Sequence, residues 1–133
     1  MSAALTVGIV LVSHSAELAA GAAHLAGQVS GGTVTIIAAG GTDDGDLGTS
    51  AAKVADGLRR ADQGAGVVVL PDLGSAVLTV RAVLEDYGGA ENVLLADAPF
   101  VEGAVAATVT AAAGGDIKAV AAAAEEARNA RKL

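Results

Sequence analysis

Two short segments hold the residues best suited to chemistry, Ser13-His14-Ser15 and Asp72-Leu73-Gly74-Ser75. A neutral imidazole is a nucleophile whose reactive nitrogen can be selected. A carboxylate on one ring nitrogen fixes the tautomer and leaves the lone pair on the other. His14 and Asp72 are the residue types for such a pair, and a phosphoryl group is the electrophile that suits it. Ser15 and Ser75 each stand where a helix is expected to begin. Helix starts aim backbone N–H groups at anions, so they could hold a phosphoryl group without Lys or Arg. On the residues alone, two plainer readings stand beside this one. An ordinary loop histidine accounts equally well for His14, and Asp72 after Pro71 is also a common turn residue. His24, inside a stretch that reads as helix, is the internal control and is expected to be merely solvated.

The elements that must position these segments follow from the apolar runs. Thr6–Val12, Val34–Ala39, Val67–Leu70 and Asn92–Ala96 are short apolar runs, the first of them continuous and β-branched, as expected of buried strands. Helices are expected at Ala16–Gln28 with Ser15 as cap, and from Thr49 or Ser50 to about Ala65. Three more are expected: from Ser75 as cap through Tyr87, at Glu102–Ala113, and at Ile117–Arg131 after an Asp116 cap. Gly31-Gly32 breaks the chain after the first helix, Pro71 stops the third strand, and Gly88-Gly89 ends the third helix. Strands alternating with helices predict an α/β fold, a three-layer open parallel sheet with helices on both faces. Right-handed crossovers favour the strand order 2-1-3-4. The loops after strands 1 and 3 then flank the switch point where open α/β sheets bind ligands, and His14 faces Asp72.

Composition narrows the function classes. The 133 residues suit one domain, 1–133, with a single core. Hydrophobic residues make up 53% of the chain and aromatic residues 2%, so the core must be built from Val, Leu, Ile and Ala. The net charge of −7 opposes nucleic-acid binding, which needs clustered cations. There is no Cys, which removes thiol catalysis, disulfides and thiolate metal sites. No apolar run approaches the roughly 20 residues of a membrane span, and no basic residue precedes the first run, so a cytoplasmic location is expected. The loop Gly40–Thr49 holds three aspartates but lacks the terminal Glu of a calcium loop, so no metal is expected there. It reads as a flexible rim loop that contacts a substrate or partner. No nucleotide loop, dinucleotide fingerprint or serine-hydrolase elbow is present. A receiver domain would need acidic metal ligands where this chain has Ser-His-Ser.

Four motifs in order converge on one family. They are Val12-Ser-His-Ser15, Ala38-Ala-Gly-Gly41 with Gly48-Thr49, Asp72-Leu-Gly-Ser-Ala76, and Ala98-Pro-Phe-Val-Glu-Gly-Ala-Val-Ala-Ala-Thr108. The chain resembles the mannose-type IIA domains of the bacterial phosphoenolpyruvate:sugar phosphotransferase system over nearly its whole length. It looks most like the phosphotransfer subunit of dihydroxyacetone kinase, the DhaM type, because it lacks the Trp-Gly-Gly loop of sugar-permease domains. The resemblance implies that His14 is a phosphohistidine, oriented by Asp72. Ser13, Ser15, Gly41, Thr42, Gly74 and Ser75 would support the phosphate or its loops.

The implied donor is a histidine phosphocarrier protein. The implied acceptor is ADP, with magnesium, on a nucleotide-binding kinase subunit, with dihydroxyacetone bound on a third. This chain would hold no cofactor itself and would form a homodimer. Carrier and enzyme I domains, fused in some members, would come here from separate proteins. The alternatives are a IIA domain of a mannose-type sugar transporter and a non-catalytic regulatory module of the same fold. A cation clamp on His14 would trap the phosphate, so Lys53, Arg59 and Arg81 are expected to stay off its ring.

Overall fold

The computed structural model describes residues 5–133. Four strands, β1 (Gly8–Ser13), β2 (Ile36–Gly40), β3 (Val67–Pro71) and β4 (Val93–Leu95), form one parallel sheet in the order β2-β1-β3-β4. This is the expected α/β topology. The helices are α1 (Ala16–Ser30), α2 (Ala51–Ala61), α3 (Gly74–Asp86), α4 (Phe100–Ala112) and α5 (Ile117–Glu126). Successive β1 side chains point to opposite faces of the sheet. Ile9 and Leu11 join one core cluster with alanines of α1, α4 and α5. Val10 and Val12 join another with Val54 and Leu58 of α2 and Ala76 and Val80 of α3. The helices that follow β1 and β3 therefore lie on opposite faces, as the switch-point arrangement requires.

Only the two central strands are buried throughout. β1 and β3 are buried at every position, whereas Ala38 on β2 and Leu94 on β4 are exposed. The expectation of buried strands fails at the sheet edges: Ala38 and Leu94, in register with Leu11 and Val68, stand on the face of α1, α4 and α5 but beyond its cover. Pro71 was expected to stop β3 but is its last residue, paired in register with Val12. The last registered pair with β4 is Val69–Leu95, so the missing N–H falls where that ladder has ended.

Two helices also stop short of expectation. α2 ends at Ala61, where Asp62 turns extended and returns its N–H to the Leu58 carbonyl. α5 ends at Glu126 and tightens into a 3-10 turn over Ala127–Asn129. Arg128 there donates to the Glu125 and Asp97 carbonyls, which tie this turn to the loop after β4.

Small side chains bring the layers together near the site. Ala19, Ala22 and Ala26 of α1 and Ala104, Ala107 and Ala111 of α4 are buried at the helix contacts. Gly40 lets the first turn of α1 settle over the end of β2. A Cβ there would lie 2.5 Å from the Ser15 carbonyl oxygen and 2.8 Å from the Ala19 methyl. A larger residue at 40 would lift the start of α1, and with it the segment holding His14. Among the described residues, no helix is long and apolar enough to cross a membrane.

Candidate functional site

The strand order brings His14 and Asp72 into contact at the carboxyl ends of β1 and β3. The Asp72 carboxylate accepts four hydrogen bonds. Oδ1 receives His14 Nδ1 at 2.9 Å and the Leu73 N–H at 2.8 Å; Oδ2 receives the Ser13 hydroxyl at 2.9 Å and the His14 N–H at 3.0 Å. Partial burial pushes this carboxyl upward. The bonds from the His14 backbone and ring, Ser13 and Leu73 outweigh burial and hold it below its ordinary value of 3.8. An ionised carboxylate only accepts, so Nδ1 carries a proton. In the neutral ring, the lone pair is then on Nε2.

Nε2 faces a different environment. Its partner is the Ser75 hydroxyl at 2.6 Å, in an exposed contact. Ser75 was expected to cap α3, and it does not. The cap position is Leu73, which offers no side-chain bond, and Ser75 is the second residue of the helix. Asp72 takes over part of the capping work by accepting the Leu73 N–H. The Ser75 hydroxyl is thereby free for His14. The N–H groups of Gly74 and Ser75, in the first turn, have no intrahelical acceptor, and Ser75 is the residue whose hydroxyl meets the imidazole. No side chain fills the space at Gly74, where an added Cβ would have no neighbour within 4 Å.

The other expected site residues serve the backbone around the pair. Ser13 is fully buried and braced on both sides, donating to Asp72 and accepting the Ser15 N–H at 3.0 Å. The Ser15 hydroxyl caps α1 through the Leu18 N–H. Gly41, at φ +77, donates its N–H to the Ser13 carbonyl. The Thr42 hydroxyl accepts the Asp46 N–H. None of these four reaches the His14 ring, so their contribution is to the loop framework.

The loop after β2, expected to be a flexible rim, carries a set of hydrogen bonds of its own. The Lys53 ammonium donates to the Gly40 and Thr42 carbonyls, and Ser50 bonds Asp43. The Gly48 N–H, in a conformation with φ +139 that suits glycine, donates to the His14 carbonyl at 2.8 Å. Sequence reasoning missed this link because nothing in the loop's composition specifies it. Lys53 is thus engaged away from the imidazole, and Arg59 and Arg60 pair with Asp56 on α2. Among the described residues, no Lys or Arg bonds the His14 ring. Among the described residues, no three acidic or histidine side chains converge as a metal site. His24 is exposed on α1.

His14 is 25% exposed and opens at the surface. A cleft of about 560 Å³ lies on the far side of the Asp72–Gly74 loop, against α3 and β4, and His14 does not line it. The reactive nitrogen therefore suits a group carried in by a docking macromolecule better than a small molecule held in a pocket.

Residues 8–121 match the family model EIIA-man, described as the fructose IIA component of the phosphotransferase system. The phosphoryl donor subunit DhaM of dihydroxyacetone kinase 2 from Listeria innocua is 40% identical over 105 residues. The match covers 77% of this chain and 84% of that one. The phosphoryl donor subunit DhaM from Escherichia coli is 40% identical over 119 residues, or 86% of this chain and 25% of the relative. This chain thus spans about a quarter of that longer protein. The crystal structure of a protein of unknown function, EF1359, has a TM-score of 0.83 and 34% identity, and the match covers 92% of this chain and 95% of that one.

Proposed function

This chain belongs to the EIIA-man family of phosphotransferase-system IIA components, and from that premise we propose that it is the phosphoryl donor subunit of a phosphoenolpyruvate-dependent dihydroxyacetone kinase. Similarity to donor subunits of such kinases supports the choice of acceptor system. The observation that carries the assignment of His14 is the division of its ring: Nδ1 is fixed on Asp72, and Nε2 faces outward.

The chemistry follows from that division. Nε2 attacks the phosphorus of a phosphohistidine on an incoming phosphocarrier protein. A new N–P bond forms as the carrier's N–P bond breaks, and the carrier's nitrogen recovers its lone pair. Nδ1 keeps its proton throughout, so the phosphorylated ring is cationic and the Asp72 carboxylate balances it. The Ser75 hydroxyl turns from the ring to a phosphoryl oxygen, and the Gly74 and Ser75 N–H groups complete the cradle at the start of α3.

In the second transfer, a β-phosphate oxygen of ADP on the nucleotide-binding subunit attacks the same phosphorus. ATP leaves, and Nε2 regains its lone pair. That ATP then phosphorylates dihydroxyacetone held on a third subunit. Transfer through a loose transition state depends on alignment and charge placement, which this frame supplies without a cation clamp.

The direct test is labelling. Incubation with phosphoenolpyruvate, enzyme I and the phosphocarrier protein should place an acid-labile, base-stable phosphate on the chain. His14→Gln should abolish it, and ADP-loaded kinase subunit should drain it from the wild type. Label that survives His14→Gln would refute the assignment.

A further inference from the structure

Thr49 and Thr79 share a hydrogen bond, Oγ1 to Oγ1 at 2.6 Å, between the loop after β2 and the middle of α3. Neither residue touches His14, and the relay chemistry above uses neither. Their placement is nevertheless specific. Thr49 follows Gly48, whose N–H holds the His14 carbonyl. Thr79 lies four residues after Ser75, so the two project from one edge of α3 a single turn apart. The contacts therefore close a ring that starts and ends on one residue. It runs from the His14 carbonyl through Gly48 and Thr49 to Thr79, then along one turn of α3 to the Ser75 hydroxyl and back to Nε2.

The other packing contacts of α3 are apolar: Val83 and Leu84 reach the same core cluster as Ala76 and Val80. Ala76 and Val80, both fully buried, seat the helix on the sheet and set its depth. Small apolar contacts tolerate rotation about the helix axis and sliding along it. The first turn has no side-chain cap, and its remaining tie to the site is the Leu73 N–H on Asp72. The directional contact that fixes the rotation of the Ser75 edge is the Thr79 hydroxyl on Thr49.

We infer that Thr49 and Thr79 are positioning residues for phosphoryl transfer: their hydrogen bond sets the rotation of α3 that aims the Ser75 hydroxyl at the Nε2 side of His14. The inference rests on His14 as the relay residue, but its first consequence is visible in the unphosphorylated protein. Thr79→Val keeps size and shape and removes the hydroxyl. Thr79→Ser keeps the hydroxyl.

The test uses the full chain with 15N-labelled histidine and takes Ser75→Ala as the reference for a lost Nε2 contact. Thr79→Val should move the His14 Nε2 resonance toward its position in Ser75→Ala, leave Nδ1 in place, and leave thermal unfolding cooperative. Thr79→Ser should stay near wild type. In the labelling assay, Thr79→Val should slow transfer by about two- to tenfold, the span of one neutral hydrogen bond, with the KM for the phosphocarrier unchanged. Thr49→Val should match it, and the double variant should be no worse than either single one. A wild-type Nε2 resonance in folded Thr79→Val would overturn the inference. So would a Thr79→Ser variant as defective as Thr79→Val, or additive losses in the double variant. If the wild-type chain takes no label while Thr79→Val still moves Nε2, the relay reading fails and the positioning stands.

Discussion

On its Nδ1 side His14 meets Asp72, whose side chain is 8% exposed and whose two oxygens are both doubly engaged. On its Nε2 side it meets one serine hydroxyl in an exposed contact, at a helix start without a side-chain cap. The first region is over-determined: the buried Ser13 braces the carboxylate, and the carboxylate holds both the ring and the backbone of the same histidine. The second is held at longer range, through the helix edge that carries Ser75 and Thr79. A relay needs this asymmetry. One nitrogen must keep its proton through two transfers, and the other must exchange a weak partner for a phosphoryl group and return to it.

Removing the fixed side should have the largest effect. Asp72→Asn takes away the ionised acceptor that holds the Nδ1 proton. Loss of the correct tautomer should lower transfer by about 10²- to 10⁴-fold, read as the rate of label uptake. The same change should cost about 1.5–3 kcal/mol of stability at neutral pH, the scale of a hydrogen bond to a charged group. The pH dependence has a definite sign. The folded-state value of Asp72 lies below its ordinary 3.8, so its contribution is complete above that pH and is lost as the pH falls through the lowered value. Denaturant midpoints of wild type and Asp72→Asn should therefore converge on acidification below the ordinary value and stay apart above it.

Disturbing the open side should cost less. Ser75→Ala removes one donor to Nε2 or to the phosphoryl oxygen, and transfer should slow by about two- to tenfold while stability hardly changes. Ser13→Ala acts one step back from the ring. It leaves the Ser15 N–H without its acceptor and Asp72 with one donor fewer, so about 1–2 kcal/mol of stability should be lost in a thermal melt. Its effect on transfer should be smaller than that of Ser75→Ala. His24→Gln, on an exposed face of α1, should change neither label uptake nor the melt.

The fixed side was legible in the sequence, and the open side was only half so. Four short apolar runs alternating with helices pointed to the common open strand order, and that order brought His14 opposite Asp72. A carboxylate that lies one residue past a strand end has few places to go. Ser75 was placed at the right element but in the wrong role, because a serine before an apolar helix reads as a cap. Asp72 instead accepts the adjacent Leu73 N–H, while the partner of the Ser75 hydroxyl, His14, lies on another loop that no local rule connects to it. The Gly48 link and the Thr49–Thr79 bond depend on how loop and helix pack, and no local pattern encodes them. Ser13 and Ser15 flank the histidine, yet the Ser13 hydroxyl is committed to the Asp72 carboxylate and the Ser15 N–H, and the Ser15 hydroxyl to the Leu18 N–H.

The asymmetry of the imidazole is tested most directly by asking which nitrogen carries the phosphoryl group. The protein, 15N-labelled at histidine and phosphorylated by the phosphocarrier protein, can be examined through its one-bond nitrogen–phosphorus coupling and its ring proton couplings. The account predicts phosphorus on Nε2 and a retained proton on Nδ1. Phosphorus on Nδ1 would require the Asp72 bond to break during transfer, and that result would contradict it.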